Sequence, residues 1–183
     1  MSGAFRKLDE TERYRGSLIT VATGTFAAPD GSTFTRDVVH HPGAVSVVPL
    51  LDDDTVVLVR QYRAAVDDAL LEIPAGKRDR DGEDPEAVAR RELVEEIGYE
   101  ADRLELLAEF YNSPGFSDER SFTYLGTGLR ACANDLQGVE EQHMTVESIA
   151  LADVPHLIAA GEIRDAKTII GLILARDRLL RTV

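Results

Sequence analysis

Three glutamates, Glu92, Glu95 and Glu96, stand in the stretch RRELVEE at spacings that a single helical turn brings together. At about 3.6 residues per turn, the i, i+3 and i+4 positions gather the three carboxylates within an arc of about 100°. Like charges so placed repel one another, and a solvated acidic face is ordinarily laced with lysine or arginine at complementary spacing. Here only Arg90 and Arg91 lie close by. Hard divalent cations take oxygen ligands, and Mg2+ is commonly held by a few carboxylates together with waters and substrate phosphates. The pattern points to a cation-binding helix face, with Mg2+, or alternatively Mn2+, as the expected cofactor.

The helix that must carry this face is well signalled. Asp84 suits the N-cap, Pro85 the first helical position and Gly98 the C′ position. Ala89, Leu93 and Ile97, four apart, form a neighbouring apolar stripe that can pack on a sheet. Upstream, GSLITVATGTF and STFTRDVVHH flank AAPDG and read as a hairpin. AVSVVPLL and TVVLVRQY are continuous apolar runs of strand length, read as central strands of a sheet covered on both faces. ALLEIPAG reads as a shorter strand that stops at Pro74. Downstream, RLELLAEFYN and RSFTYLGTGL flank the loop SPGFSDE, and ESIAL is a further strand. Two helices close the chain, the second being DAKTIIGLILARDRLLRT with Asp165 as its cap. Residues 1–15 are polar and charged and read as a mobile arm or a segment ordered by a partner. The expected fold class is α/β (α+β), a mixed β-sheet between helices with a small N-terminal antiparallel sheet. The expected organisation is an arm and hairpin over residues 1–42 and the main domain over 43–183.

The bulk composition narrows the partners. A chain of 183 residues with 44% hydrophobic content suits one globular domain with a proper core. With 33 acidic against 20 basic side chains, the net charge of -13 opposes non-specific binding to nucleic acid or anionic membrane. Any phosphate ligand must then be met locally, by arginine or by metal. Cys132 is the one cysteine, so no internal disulfide forms, and it reads as a buried small apolar residue. The start MSGAFRKLDETERYRG lacks the apolar core of a signal peptide and no segment approaches the length of a membrane span. A cytoplasmic protein is the expectation.

Gly76, Glu83 and the run RELVEEIGY from Arg91 to Tyr99 resemble the Nudix box, the signature of hydrolases that act on nucleoside diphosphates linked to another moiety. From Glu83 onward the match is complete; between Gly76 and Glu83 there are six residues where the pattern has five. VRQYR, LLEIPAG, Pro114 in NSPGFSDE, GVEEQHM and GEIRDAKTIIGLILA extend the resemblance over most of residues 16 to 175 and direct it to the ADP-ribose pyrophosphatases. The resemblance implies the Nudix fold and hydrolysis of ADP-ribose to AMP and ribose 5-phosphate. It implies Glu92, Glu95 and Glu96 as metal ligands, with the carbonyl of Ala75 or Gly76 as a further oxygen. Glu83 would anchor its loop or contact metal through water, and Arg91 would orient the glutamates by an ion pair. Arg36 and Arg63 match positions that contact the phosphates or terminal ribose, and Gly115, Phe116 and Ser117 would offer backbone contacts to the ribose. In GVEEQHM, Glu141 is favoured over Glu140 as general base. Subfamily members are commonly homodimers in which N-terminal strands complete the partner's site. With no tryptophan in the chain, Tyr14, Phe26 and Phe34 are the conceivable stacking surfaces for adenine. His40, His41 and His143 show no ligand spacing and read as bystanders. Alternative substrates are another nucleoside diphosphate sugar or a nucleoside triphosphate. A non-catalytic nucleotide sensor is the reading from a different class, although such modules often lose the box glutamates that this chain keeps.

Overall fold

The computed structural model describes residues 3–52, 54–78, 82–133 and 142–181. The chain divides into two compact units, Met1–Gly43 with Tyr111–Arg120, and Ala44–Phe110 with Ser121–Val183.

In the first unit β1 (Arg6–Arg15), β2 (Thr20–Ala27) and β3 (Thr33–His40) form an antiparallel sheet in that order. The β2–β3 hairpin closes as its sequence demands: Ser32 N–H and hydroxyl both reach Asp30 Oδ1, at 2.9 and 2.6 Å. β1 corrects the expectation of a mobile arm. It pairs with β2 from Arg6↔Ala27 to Arg15↔Thr20, interrupted by two register shifts. Nearly all its side chains are exposed on both faces, so it lacks the apolar alternation by which a strand is read; main-chain hydrogen bonds define it. The segment 111–120 docks on β3, where Val39 N–H donates to Phe116 O at 2.7 Å and Asp118 N–H donates to Val39 O at 3.1 Å. His40, set aside on spacing, stands between two carboxylates. Its Nδ1 lies 2.5 Å from Asp118 Oδ2 and its Nε2 3.1 Å from Glu10 Oε2.

In the second unit β4 (Ala44–Pro49) and β5 (Thr55–Arg63) are the two continuous apolar runs. Each is central, but to a different sheet. β5 lies between β6 (Asp68–Glu72) and β10 (Thr145–Ala150), antiparallel to both. β4 lies between β7 (Ala75–Lys77), antiparallel, and β9 (Arg120–Ala131), parallel, with β8 (Tyr99–Tyr111) beyond β9. The runs are continuous because both faces of both strands are buried, and alternate residues feed two cores. Val45, Val47, Val57 and Val59 join Val88, Ala89, Leu93 and Ile97 of α1 (Pro85–Ile97). Val48, Leu50, Val56 and Leu58 join Leu172 and Ala175 of α3 (Ala166–Leu180) together with Val154 of α2 (Val154–Ala159). Each buried valine, leucine or isoleucine side chain among these contributes roughly 1.5–3 kcal/mol by its burial.

ALLEIPAG is not one strand ending at Pro74 but two strands in different sheets, β6 and β7, parted by Ile73 and Pro74. Proline has no N–H for a ladder, and its neighbours are satisfied elsewhere. Ile73 N–H donates to Thr168 Oγ1 at 3.0 Å, and Pro74 O accepts from Val47 N–H at 3.0 Å. α1 is capped as expected, with Asp84 accepting from Glu86 N–H and Gly98 in the left-handed region at φ 66. Asp165 caps α3, accepting from Thr168 N–H at 2.9 Å. Cys132 is exposed, correcting the buried reading, because it follows the last residue of β9 beyond both cores. Among the described residues no helix is long and apolar enough to cross a membrane.

Asp118, against partial burial and with help from Glu10, raises the His40 pKa above its ordinary value. A raised folded-state value means that this stabilisation is full below the unfolded imidazole pKa of about 6.5 and fades as pH climbs through the folded value. The gap in urea midpoint between the wild type and His40→Asn should therefore be widest near pH 6 and narrow by pH 9; a gap independent of pH would remove the charged imidazole from the account.

Candidate active site

The apolar stripe of α1 fixes where its glutamates go. With Val88, Ala89, Leu93 and Ile97 buried in the core, the adjoining positions 92 and 96 meet β7, the edge strand of its sheet. Both carboxylates are enclosed, Glu92 at 7% and Glu96 at 3% exposure, which is not a solvated acidic face. Glu96 Oε2 accepts the Ala75 N–H at 3.0 Å. Glu92 lies so close to Gly76 that a Cβ there would stand 1.9 Å from its Oε1 and 2.0 Å from its Cδ. The Glu92 carboxyl occupies the space where a side chain at 76 would begin, so with any residue but glycine there the carboxyl must shift.

Glu95 is more open, and Arg91 links it to its neighbours. Arg91 Nη1 is 3.1 Å from Glu92 Oε1 and 3.3 Å from Glu95 Oε2, while Nη2 is 4.0 Å from Glu83 Oε1. Glu83 Oε2 is buried without a hydrogen-bond partner among the described residues. The Glu83 carbonyl accepts from Arg78 Nε and Nη2 at 3.2 and 2.8 Å, and the same guanidinium lies over the Phe122 ring at 5.8 Å. Residues 79–81, within the stretch that is one residue longer than the Nudix pattern, lie outside the described residues, as do Glu140 and Glu141.

Among the described residues no three His, Cys, Asp or Glu side chains already converge as a closed cation cage. The carboxylates are engaged instead by Arg91 and the Ala75 N–H. This donor set still fits a hard divalent cation of the Mg2+ kind. It consists of oxygen alone, it lies in a cradle that a Cβ at position 76 would fill, and Mg2+ is typically held by one or two carboxylates plus substrate rather than by an all-protein cage.

Arg63, at the end of β5, grips Glu72 with Nε and Nη2 at 2.8 and 2.7 Å. Glu72 is 1% exposed and also receives Lys167 Nζ, which lies 3.0 Å from Asp165 Oδ2. The Glu72 hydrogen bond, ahead of burial, which opposes it, raises the Arg63 pKa, so the guanidinium is permanently charged. Glu72 and Lys167 were not singled out as site residues from sequence. The available signal was a carboxylate between Leu71 and Ile73 in a run that is otherwise apolar.

The remaining candidates belong to the first unit. Arg36 is exposed on β3, donates through Nη1 to Thr35 O at 2.8 Å and lies over the Phe34 ring at 4.9 Å. Phe26 stacks on Phe34 with centroids 5.5 Å apart, and Tyr14 is 60% exposed. The N–H groups of Phe116 and Ser117 both donate to Ser113 O, at 3.1 and 2.9 Å, so those two are committed within the turn. The Phe116 ring is largely exposed, and Gly115 has open space where a Cβ would stand.

A helix that sets buried carboxylates against an edge-strand glycine, on a chain carrying the box motif, defines the class. Residues 40–170 match the NUDIX domain, and the chain belongs to the Nudix hydrolase family. It is 36% identical over 167 residues to the methanol dehydrogenase activator of Bacillus methanolicus, covering 91% of this chain and 90% of that protein. It is 36% identical over 155 residues to the ADP-ribose pyrophosphatase of Bacillus subtilis, covering 85% and 83%. A crystal structure of an ADP compounds hydrolase superimposes over 100% of this chain and 97% of that one with a TM-score of 0.85; at 23% identity the likeness establishes the fold.

The Gly76–Glu92 contact yields a direct expectation. Gly76→Ala must displace the Glu92 carboxyl by more than an ångström, so hydrolytic turnover should fall roughly 10²-fold, the usual scale for such a misplacement. Circular dichroism should report an unchanged helix content. Turnover within a few-fold of wild type would show that Glu92 need not lie where it does.

Proposed function

We propose that the chain hydrolyses the diphosphate linkage of ADP-ribose, with Mg2+ as cofactor, giving AMP and ribose 5-phosphate. The observation that carries the reading is the pair of buried carboxylates, Glu92 and Glu96, fixed on β7 in the unit that also holds the charged Arg63. The similarity to an ADP-ribose pyrophosphatase over most of both chains supports the choice of substrate.

Glu92, Glu95 and Glu96, with the carbonyl of Ala75 or Gly76, would hold the cation. When bound, it supplies positive charge against the phosphoryl oxygens and lowers the pKa of a water. The chain's own residues do the rest. Arg91 keeps Glu92 and Glu95 from separating. Arg63 offers a planar guanidinium to the diphosphate. Glu141 accepts a proton from the attacking water as its oxygen bonds to one phosphorus and the bridging P–O bond breaks. Three glutamates committed to a cation cannot readily act as free bases, which favours a carboxylate from another segment. The assembly we infer is a homodimer, and a fully active enzyme with the light-scattering mass of one chain would exclude it.

Product analysis after incubation with ADP-ribose, other nucleoside diphosphate sugars and nucleoside triphosphates, with and without Mg2+, tests the proposal. AMP and ribose 5-phosphate should accumulate from ADP-ribose only when Mg2+ is present. Glu141→Gln should lower kcat by about 10²–10⁴-fold, the usual worth of a general base. Preferential cleavage of triphosphates would overturn the substrate assignment, and a silent Glu141→Gln would return the base to α1.

A further inference from the structure

Glu72 presents an electrostatic problem that the hydrolytic reading leaves unsolved. A carboxylate at 1% exposure must have its charge matched and its lone pairs filled. Its Oε1 accepts from Arg63 Nε, and its Oε2 accepts from both Arg63 Nη2 and Lys167 Nζ. The two cations are not equivalent. The Lys167 side chain is 14% exposed and the Arg63 side chain 38%, so Lys167 is the interior partner and Arg63 the more open of the two.

Behind Lys167 the chain of contacts continues into the first turn of α3. Lys167 Nζ reaches Asp165 Oδ2, which also accepts the Thr168 N–H at 2.9 Å and hydroxyl at 2.6 Å. Burial pushes the Asp165 carboxyl up, but the Lys167 charge and the Thr168 hydrogen bonds outweigh it and hold it below the ordinary value, so it remains an anion beside Lys167. Thr168 Oγ1 accepts the N–H of Ile73, the residue after Glu72. The first turn of α3 thus fixes both the Glu72 carboxylate and the backbone that carries it.

We propose that Lys167 is a positioning residue for diphosphate recognition: by sharing the Glu72 carboxylate it keeps Arg63 gripped side-on through Nε and Nη2, with the Nη1 edge presented to a phosphate. The inference rests on the reading that Arg63 binds the substrate diphosphate. Without Lys167, Arg63 alone would have to neutralise a buried anion, and its guanidinium would be drawn from the side-on grip so that Nη1 too turns toward Glu72.

Steady-state kinetics with ADP-ribose and thermal melts of wild type, Lys167→Met, Lys167→Arg, Arg63→Lys and the Arg63→Lys/Lys167→Met double variant decide the matter. Lys167→Met should raise KM about tenfold with kcat within roughly threefold, the scale of one weakened charge-assisted hydrogen bond to substrate. Lys167→Arg should restore KM. The double variant should bind no worse than Arg63→Lys alone, because both changes act through one guanidinium. A merely structural Lys167 would lower the melting temperature and leave KM within about twofold, or add its effect to that of Arg63→Lys in full; either result overturns the proposal. If Arg63→Lys itself leaves KM unchanged, the reading of Arg63 fails and the proposal falls with it. Should Lys167→Met not fold, Lys167→Gln, which keeps a donor to Glu72 without the charge, carries the same comparison.

Discussion

Two glutamates of one helix are buried against the main chain of an edge strand, and most of the second unit is arranged to permit it. Enclosing carboxylates is unfavourable unless donors or cations compensate. Glu96 finds the Ala75 N–H, and Glu92 finds Arg91 and a strand position with no side chain. The α1 stripe of Val88, Ala89, Leu93 and Ile97 drives the helix into this position, so hydrophobic burial holds carboxylates where their own charge would not take them. One guanidinium, that of Arg91, bridges Glu92 and Glu95, and Glu96 is met by a main-chain N–H.

The five residues Glu72 to Gly76 are the point at which the second unit converges. The break at Ile73–Pro74 passes the chain from one sheet to the other, so its carboxylate and its amides can face different partners. α3 takes hold through Thr168 and Lys167, and α1 through Glu96 and Glu92. With a core behind each helix, the segment is fixed from both sides. On the proposed function, that rigidity would keep the carboxylates and the Arg63 guanidinium in fixed relation to a bound diphosphate.

Much of this was legible in the residues, for identifiable reasons. Asp84, Pro85 and Gly98 mark their helix because caps act locally, and the paired runs of β4 and β5 reveal burial on two faces. The glutamate spacing was readable for the same local reason. What was not legible depended on partners distant in sequence. β1 is held by main-chain pairing that its exposed side chains do not encode. Whether the two apolar runs share a sheet is a matter of topology, as is the split of ALLEIPAG between sheets, although Pro74 hinted at the break. Cys132 looked buried by type and is exposed by position. His40 had no ligand spacing because its carboxylates, Glu10 and Asp118, come from 30 residues before it and 78 after it. The Lys167–Glu72 contact spans 95 residues, beyond any local pattern.

Calorimetric titration of Mg2+ into wild type and Glu96→Gln bears most directly on the claim that these buried carboxylates are held in readiness for a cation. The glutamine amide oxygen can still accept the Ala75 N–H, so the substitution removes charge while sparing the contact that docks α1 on β7. The account predicts saturable Mg2+ binding in wild type, weakened by roughly tenfold or more in Glu96→Gln, the scale of losing one charged ligand interaction. It also predicts a melting temperature without Mg2+ that is unchanged or raised. Identical Mg2+ isotherms, or a lowered melting temperature of Glu96→Gln without Mg2+, would contradict it.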